Sequence, residues 1–490
     1  AAYALLGTLL DRMLNLSAAA KSLSPFALGG GLLLCWLPYL YWIFPGTVSN
    51  DSVTQVLEII GVEKLGNANP IFQTALIYFF RGVGKVLGSA DAGVFLYCMV
   101  QALLMAWLLG ALLSEQRKSG APRWLTVTSF LFYGLCPVFP LFAFCVGKDT
   151  NFSMAVLWLS LLIARRLLSQ SDGEKPSRWE TPCLCAAAVL CTLLRNPGFY
   201  LALLTLLILL IFSLHGKRRV EGQWKSPVWA LGCILAVYGA LHLLLIPALG
   251  IPDETASGIY SVCFQQSARV LRDHGDTVTP EEYAEIDRVL DAEKLPELYE
   301  TNISDPVKFT FRYSGQGAAV EKEALKRYAQ TWKKMAAEYP LSYAEAFFGG
   351  STGYYAFIPK LEGPSYNNQA GNRLMFETYT LGDDPGYVHN RQIGFLSKVR
   401  TLLAAYARGW RRIPLLSLLY CCATYTWLLV GVGLYLVRRG QWRGLAAFLP
   451  ALLSLGVCML SPVNDYFRYF LPIVAMAFPL TGFALRPKEN

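Results

Sequence analysis

Residues 45–70, PGTVSNDSVTQVLEIIGVEKLGNANP, leave the first strongly apolar segment and carry Asp51 within a few residues of that segment's end. A carboxylate kept at a bilayer surface is costly to dehydrate, so its presence there points to a functional site. Two properties decide what this stretch means. One is which face of a membrane it occupies; the other is which polar clusters return to that face.

The composition is that of a polytopic membrane protein. Of 490 residues, 54% are hydrophobic and 16% charged, with a mean hydropathy of +0.37, against roughly 25% charged residues in soluble chains. The net charge of +9 sits in short Lys/Arg runs between apolar segments, so it expresses topology rather than a nucleic-acid partner. Nearly all twelve cysteines lie in apolar segments, where Cys behaves as a small hydrophobe. Cys183, Cys185 and Cys191 lack zinc-ligand spacing, and the four histidines form no ligand pattern.

Ten apolar stretches are expected to cross: 24–44, 92–113, 124–144, 151–163, 182–194, 199–212, 227–249, 415–437, 445–460 and 467–485. A span needs about 20 apolar residues, and 24–44 is expected to act as an uncleaved anchor. Residues 71–87, interrupted by Arg81 and Lys85, predict a helix on the membrane surface. The runs 182–194 and 199–212 flank Arg195-Asn196-Pro197-Gly198; as a hairpin they leave the basic loops on both sides cytoplasmic. Each arm is only about 20 Å long at 1.5 Å per residue, so Arg195 is expected below the outer surface, inside protein. Residues 250–412 hold most of the acids and no span-length apolar run. There Thr279-Pro280-Glu281-Glu282 predicts a capping box opening a helix to about Ala292, and residues 321–339 predict another helix.

These elements predict an all-α integral membrane protein with a mostly helical extracytoplasmic domain. Its divisions are a membrane module at 1–249, with a first outer loop at 45–91, an outer domain at 250–412 and a second membrane module at 413–490. Ten crossings from a cytoplasmic N-terminus put each multi-basic loop inside. They put Asp51, Lys148-Asp149, Arg195-Asn196, 250–412 and 464–468 on the extracytoplasmic face of the plasma membrane.

Three constellations share that face. Asp51 and Asp149 can supply a general base or hold a metal ion; helix capping or a salt bridge to Lys148 also explains them. Lys148, Arg195, Arg468 and the run Arg408–Arg412, including Arg411, place cations against the positive-inside bias. A phosphate headgroup would account for them, since Arg grips phosphate oxygens in a fork; snorkelling to lipid headgroups accounts equally for 408–412. Tyr354, Tyr355, Phe357, Tyr366, Asn367, Asn368 and Gln369, with Gln265-Gln266, combine rings and amides suited to sugars, as many outer domains do.

With these motifs placed, the chain resembles the GT-C superfamily, membrane glycosyltransferases that use polyprenyl-phosphate-linked donors. The similarity rests on a first span, an outer loop with an early acid, a second acid about a hundred residues on (Asp149), and seven spans before a large outer region. PGTVSNDSVTQ, NANP, Lys148-Asp149, RNPGFY (195–200), FQQSARV, ISDPVK (303–308) and SPVNDYFRYFLP (461–472) are similar to a GT-C-like family of Gram-positive bacteria. The resemblance implies a bundle of about ten transmembrane helices and an inverting transfer of a sugar from a polyprenyl-phosphate carrier, undecaprenyl phosphate in bacteria. The acceptor would be a cell-envelope glycan, teichoic acid, lipid or protein. Asp51 and Asp149 would be catalytic, with Mg²⁺ or Mn²⁺ between them if a metal is used. Lys148, Arg195, Asn196, Arg468 and Arg411 would bind the lipid phosphate, and Asn69, Gln265, Gln266, Asn464 and Tyr466 the substrate. The sequence departs from the resemblance at Asn69, where a His before the Pro is expected. A ligase or polymerase moving a whole lipid-linked chain and a lipid-sugar flippase are the rival readings. Against the flippase, the polar clusters gather at one face rather than at the midplane.

Overall fold

A computed structural model describes residues 24–48, 50–171, 178–215, 224–251, 255–313, 318–357, 397–410 and 413–484. Helices account for most of them, and the sole sheet among them is a pair of two-residue strands. Among the described residues, three helices are long and apolar enough to cross a membrane: Ala90–Lys118, Lys225–Ala248 and Phe467–Ala484. A fourth apolar path, Pro414–Tyr420 followed by Cys422–Arg438, is bent by 78°. Glu180–Leu194, Gly198–Leu214 and Leu449–Met459 are shorter apolar helices.

Several expected spans are broken, for local reasons. The 124–144 run divides into Arg123–Leu135 and Val138–Ala143 because Pro137 donates no N–H and drives Cys136 into an extended conformation. The 445–460 run divides into Trp442–Ala447 and Leu449–Met459, with Pro450 in the first turn of the second helix. The helix expected over residues 71–87 forms over Ile71–Val86.

Phe467–Ala484 is the axis of the apolar helix bundle, buried along nearly its whole length. Neighbouring helices reach its backbone with polar side chains: Tyr133 Oη donates to the Ala475 carbonyl at 2.5 Å, and Gln116 Nε2 to that of Phe478 at 3.1 Å. Satisfying carbonyls in this way ties helices together where no water is available.

The outer region has its own core, in which Phe264, Leu271, Ile286, Val289, Tyr328 and Met335 pack together. Its Pro280–Val289 helix opens on the expected capping box. The Glu282 carboxylate accepts from the Thr279 N–H at 3.0 Å, and the Glu282 N–H donates to Thr279 Oγ1 at 3.3 Å. The helix stops at Val289, short of Ala292. The other expected helix runs Ala318–Glu338. Residues 255–357 meet the apolar helices through residues 461–466 and through Thr426 and Trp427, which donate to the Tyr354 and Tyr355 carbonyls at 2.6 and 2.7 Å.

Candidate functional site

Two short strands set the geometry. β1 (Thr47–Val48) and β2 (Cys145–Val146) pair in parallel, Thr47 opposite Cys145 and Val48 opposite Val146. The chain enters β1 through Gly46, whose φ of 140° suits glycine and whose missing Cβ leaves room for Cys98 Sγ. Entry to β2 is held by Gln101, whose amide donates to the carbonyls of Phe142, Ala143 and Cys145 at 2.8–3.0 Å. Each strand runs directly into a helix, Asn50–Ile60 or Lys148–Ser171, with an acid in its first turn. Asp51 follows Thr47 by four residues and Asp149 follows Cys145 by four, so pairing the strands brings the two helix starts side by side. The N-terminal end of each helix dipole favours its carboxylate.

Three cations close around the two acids. Lys148 Nζ lies 3.0 Å from Asp51 Oδ2, and Arg468 Nη2 lies 3.3 Å from the same oxygen. Arg468 Nε is 3.4 Å from Asp149 Oδ2, and Arg195 Nε is 3.6 Å from Asp149 Oδ1. The result is one alternating chain of charge: Lys148, Asp51, Arg468, Asp149, Arg195. Lys148 also donates to Asn69 Oδ1 at 2.5 Å. Aromatic rings flank the guanidinium groups, with Arg195 3.9 Å from the Tyr469 ring centroid and Arg468 4.4 Å from that of Tyr466. The Asp149 side chain is 7% exposed and that of Asp51 24%, so Asp51 is the acid that a solute can reach.

Arg195 arrives on the tip of the expected hairpin. It caps Glu180–Leu194 in an extended conformation, and Gly198 starts the returning helix. A Cβ on Gly198 would lie 1.9 Å from the Cys191 carbonyl oxygen, so glycine lets the arms close. Asn196 faces the first outer loop, donating to the Asn67 carbonyl at 3.4 Å.

Arg468 arrives on the segment the outer region grips. Asn464 accepts from the Gly353 N–H at 2.8 Å, and its amide donates to the Gly349 carbonyl at 3.2 Å. Its own N–H donates to the Asn302 carbonyl at 3.0 Å. The Ser304 N–H donates to the Pro462 carbonyl at 2.7 Å. Tyr354 Oη donates to the Val463 carbonyl and accepts from the Tyr466 N–H, both at 3.1 Å.

The fold therefore gathers Asp51, Asp149, Lys148, Arg195, Arg468, Asn69 and Tyr466, with Asn196 beside them. It does not bring Gln265 and Gln266 into this cluster. Gln265 donates to the Glu300 and Ile303 carbonyls. Gln266 donates to the Tyr343 carbonyl at 3.2 Å and accepts from Trp332 Nε1 at 3.0 Å. Their amides hold the outer core together. Asn464 and Tyr354 likewise spend their polar groups on backbone. Arg411 and the Tyr366–Gln369 group lie outside the described residues.

Other contributors escaped the sequence reading. Tyr469, one helical turn beyond Tyr466, lies against both arginines. Behind the acids, Asn151 Nδ2 donates to Gln73 Oε1 at 3.0 Å and Tyr97 Oη at 2.5 Å, and Gln73 Nε2 donates to Tyr97 Oη at 2.8 Å. This buried triangle locks the start of the Lys148–Ser171 helix against the Ile71–Val86 helix. Asn151, two residues past Asp149, was the available signal.

The electrostatics favour an anionic ligand. Burial by itself would raise the Asp51 carboxyl, but Arg468 and Lys148 outweigh it and hold the group well below the usual carboxylate range. Three cations against two carboxylates leave one positive charge in excess. Two buried atoms in the cluster, Asp149 Oδ1 and Arg468 Nε, make no hydrogen bond. A divalent ion does not fit this donor set. Arg468 already sits between the carboxylates, and no three His, Cys, Asp or Glu side chains converge among the described residues.

Residues 62–488 match a family described as a family of unknown function (DUF6020), and the chain belongs to it. No curated protein and no solved structure matches the chain.

Proposed function

We propose that this DUF6020 protein is a membrane glycosyltransferase of GT-C type, a bundle of about ten crossings that works at the extracytoplasmic face. It takes a sugar from a polyprenyl-phosphate-linked donor and passes it to a cell-envelope acceptor. The observation that carries the reading is the alternating charge chain and its single excess positive charge. A glycosyl phosphodiester brings one negative charge and renders the site neutral.

The chemistry follows from the arrangement. An acceptor hydroxyl oxygen attacks the anomeric carbon while the bond from that carbon to the phosphate oxygen breaks, its electron pair staying on the phosphate. The acceptor proton goes to Asp51, the more exposed acid. The phosphate gains one negative charge as Asp51 loses one, so the buried site remains balanced throughout. Lys148, Arg195 and Arg468 receive the charge developing on the leaving phosphate. Stabilising such charge usually contributes more to the rate than any other single effect, about 10²–10³ per contact. Asp149, pinned between Arg195 and Arg468, keeps both guanidinium groups aimed.

The test is reconstitution in vesicles with a radiolabelled polyprenyl-phosphate sugar and cell-envelope extract, products being read by mass spectrometry. A hexose-sized increment that disappears in Asp51→Asn, with donor binding nearly intact, is the expected result. Normal turnover by Asp51→Asn would remove it as base. A chain-sized increment would make the protein a polymer ligase, and lipid movement with no covalent product would make it a flippase.

A further inference from the structure

We propose that the donor's phosphate binds before the acceptor, taking Lys148 and Arg468 away from Asp51 and thereby making Asp51 able to accept a proton. This rests on the glycosyl-transfer reading above and adds to it a compulsory order and an anion-released base.

The geometry carries the argument. Both cations converge on one atom, Asp51 Oδ2, at 3.0 and 3.3 Å. A carboxylate so held is a weak base, because the cations that stabilise its charge oppose its protonation. An acceptor arriving first meets a base that cannot act. Both cations have somewhere to go. Lys148 keeps its bond to Asn69, and Arg468 keeps Asp149 at 3.4 Å, stays against the Tyr466 and Tyr469 rings, and has a buried Nε with no hydrogen bond of its own. A phosphate oxygen supplies that missing acceptor. Arg195, tied to Asp149 and stacked on Tyr469, is not bonded to Asp51 and stays as the fixed wall of the site. Once the cations turn to the phosphate, burial and a nearby anion push the Asp51 carboxyl towards the protonated form, opposed only by the more distant Arg195 and the start of its own helix. After transfer that proton is in place, and departure of the lipid phosphate lets the cations return and expel it.

Carbodiimide labelling tests this on the full chain in nanodiscs, because the reagent modifies protonated carboxyls. Asp51 labelling is read by mass spectrometry near pH 6, with Asp273 on the outer domain as reference. Nanodiscs contain undecaprenyl phosphate or the uncharged undecaprenol, and a third arm adds inorganic phosphate to the undecaprenol discs. Undecaprenyl phosphate is expected to raise Asp51 labelling about tenfold for each pKa unit regained, with undecaprenol without effect. A rise with inorganic phosphate also supports release and assigns it to the anion alone; a rise with the lipid only assigns it to the lipid headgroup. Native mass spectrometry on the same samples separates the two ways to fail. Lipid bound with Asp51 labelling unchanged overturns the release mechanism and leaves the donor site standing. No lipid bound overturns the donor reading, and the release mechanism with it. Lys148→Met is a second check: with Arg468 still on Asp51, it is expected to label at Asp51 more than wild type without any lipid, and wild-type labelling in that variant counts against the proposal.

Discussion

Asp149→Asn and Arg468→Met remove opposite ends of one contact, and the structure predicts that they are unequal. At 3.4 and 3.6 Å and an effective dielectric of about 20, each Asp149 pair attracts with roughly 5 kcal/mol before desolvation. Removing Asp149 strands Arg195, leaves Arg468 sharing Asp51 with Lys148, and puts three cations against one carboxylate. Breaking a buried pair in this way costs about 3–5 kcal/mol. Removing Arg468 leaves Asp51 with Lys148 and Asp149 with Arg195, two balanced pairs, so its cost is expected to be smaller by about 2 kcal/mol. In the double variant only Arg195 is stranded, so the two effects couple by about 1–3 kcal/mol. Reversible unfolding in mixed SDS micelles, followed by circular dichroism, measures all four forms. Equal single effects that add to within about 0.5 kcal/mol would refute a continuous charge chain and reduce the site to separate ion pairs.

The hairpin, the titration of Asp51 and the outer region's grip each have their own test. Gly198→Ala puts a methyl against the Cys191 carbonyl, so it is expected to cost about 1–3 kcal/mol by overpacking and to weaken lipid-phosphate binding by displacing Arg195; unchanged binding would detach the hairpin from the site. Since Arg468 and Lys148 overcome burial to hold the Asp51 carboxyl low, its contribution to stability is present above the ordinary carboxylate value and is lost as pH falls through its lowered folded value. Asp51→Asn therefore flattens the acid limb of stability against pH and changes its slope little above about pH 5. Asn464→Ala is expected to cost about 1–3 kcal/mol and to weaken lipid-phosphate binding, because Arg468 lies four residues on. Gln266→Ala is expected to lower the stability of the outer region without changing that binding; a binding defect there would restore Gln266 to the site.

Asp51 and Asp149 were legible because acids are rare beside apolar runs. Arg195 and Arg468 were legible because the expected topology sets them on a face where cations defy the positive-inside bias. The pairing of β1 with β2 was not read from the sequence, although TVSND and CVGKD place an acid at the same offset, because two-residue strands are too short for periodicity to announce. Gln265-Gln266 fell outside the charge cluster because an amide pair looks the same in sequence wherever it bonds, and only packing shows that these two hold backbone and Trp332. The broken spans misled for a related reason. Hydropathy sums a run without asking where Pro137 or Pro450 interrupts its hydrogen bonding, and a bundle's interior tolerates such breaks.

Arg468 has a consequence for biosynthesis. The ribosome delivers Asp51 first, then Lys148 with Asp149, then Arg195, and Arg468 only after the whole outer region. Until that last helix inserts, the pocket holds two acids and two cations and has no excess charge to attract a lipid phosphate. A chain stopped before residue 468 thus carries most of the site with its charges balanced, and under the glycosyl-transfer proposal it would be silent towards the carrier lipid.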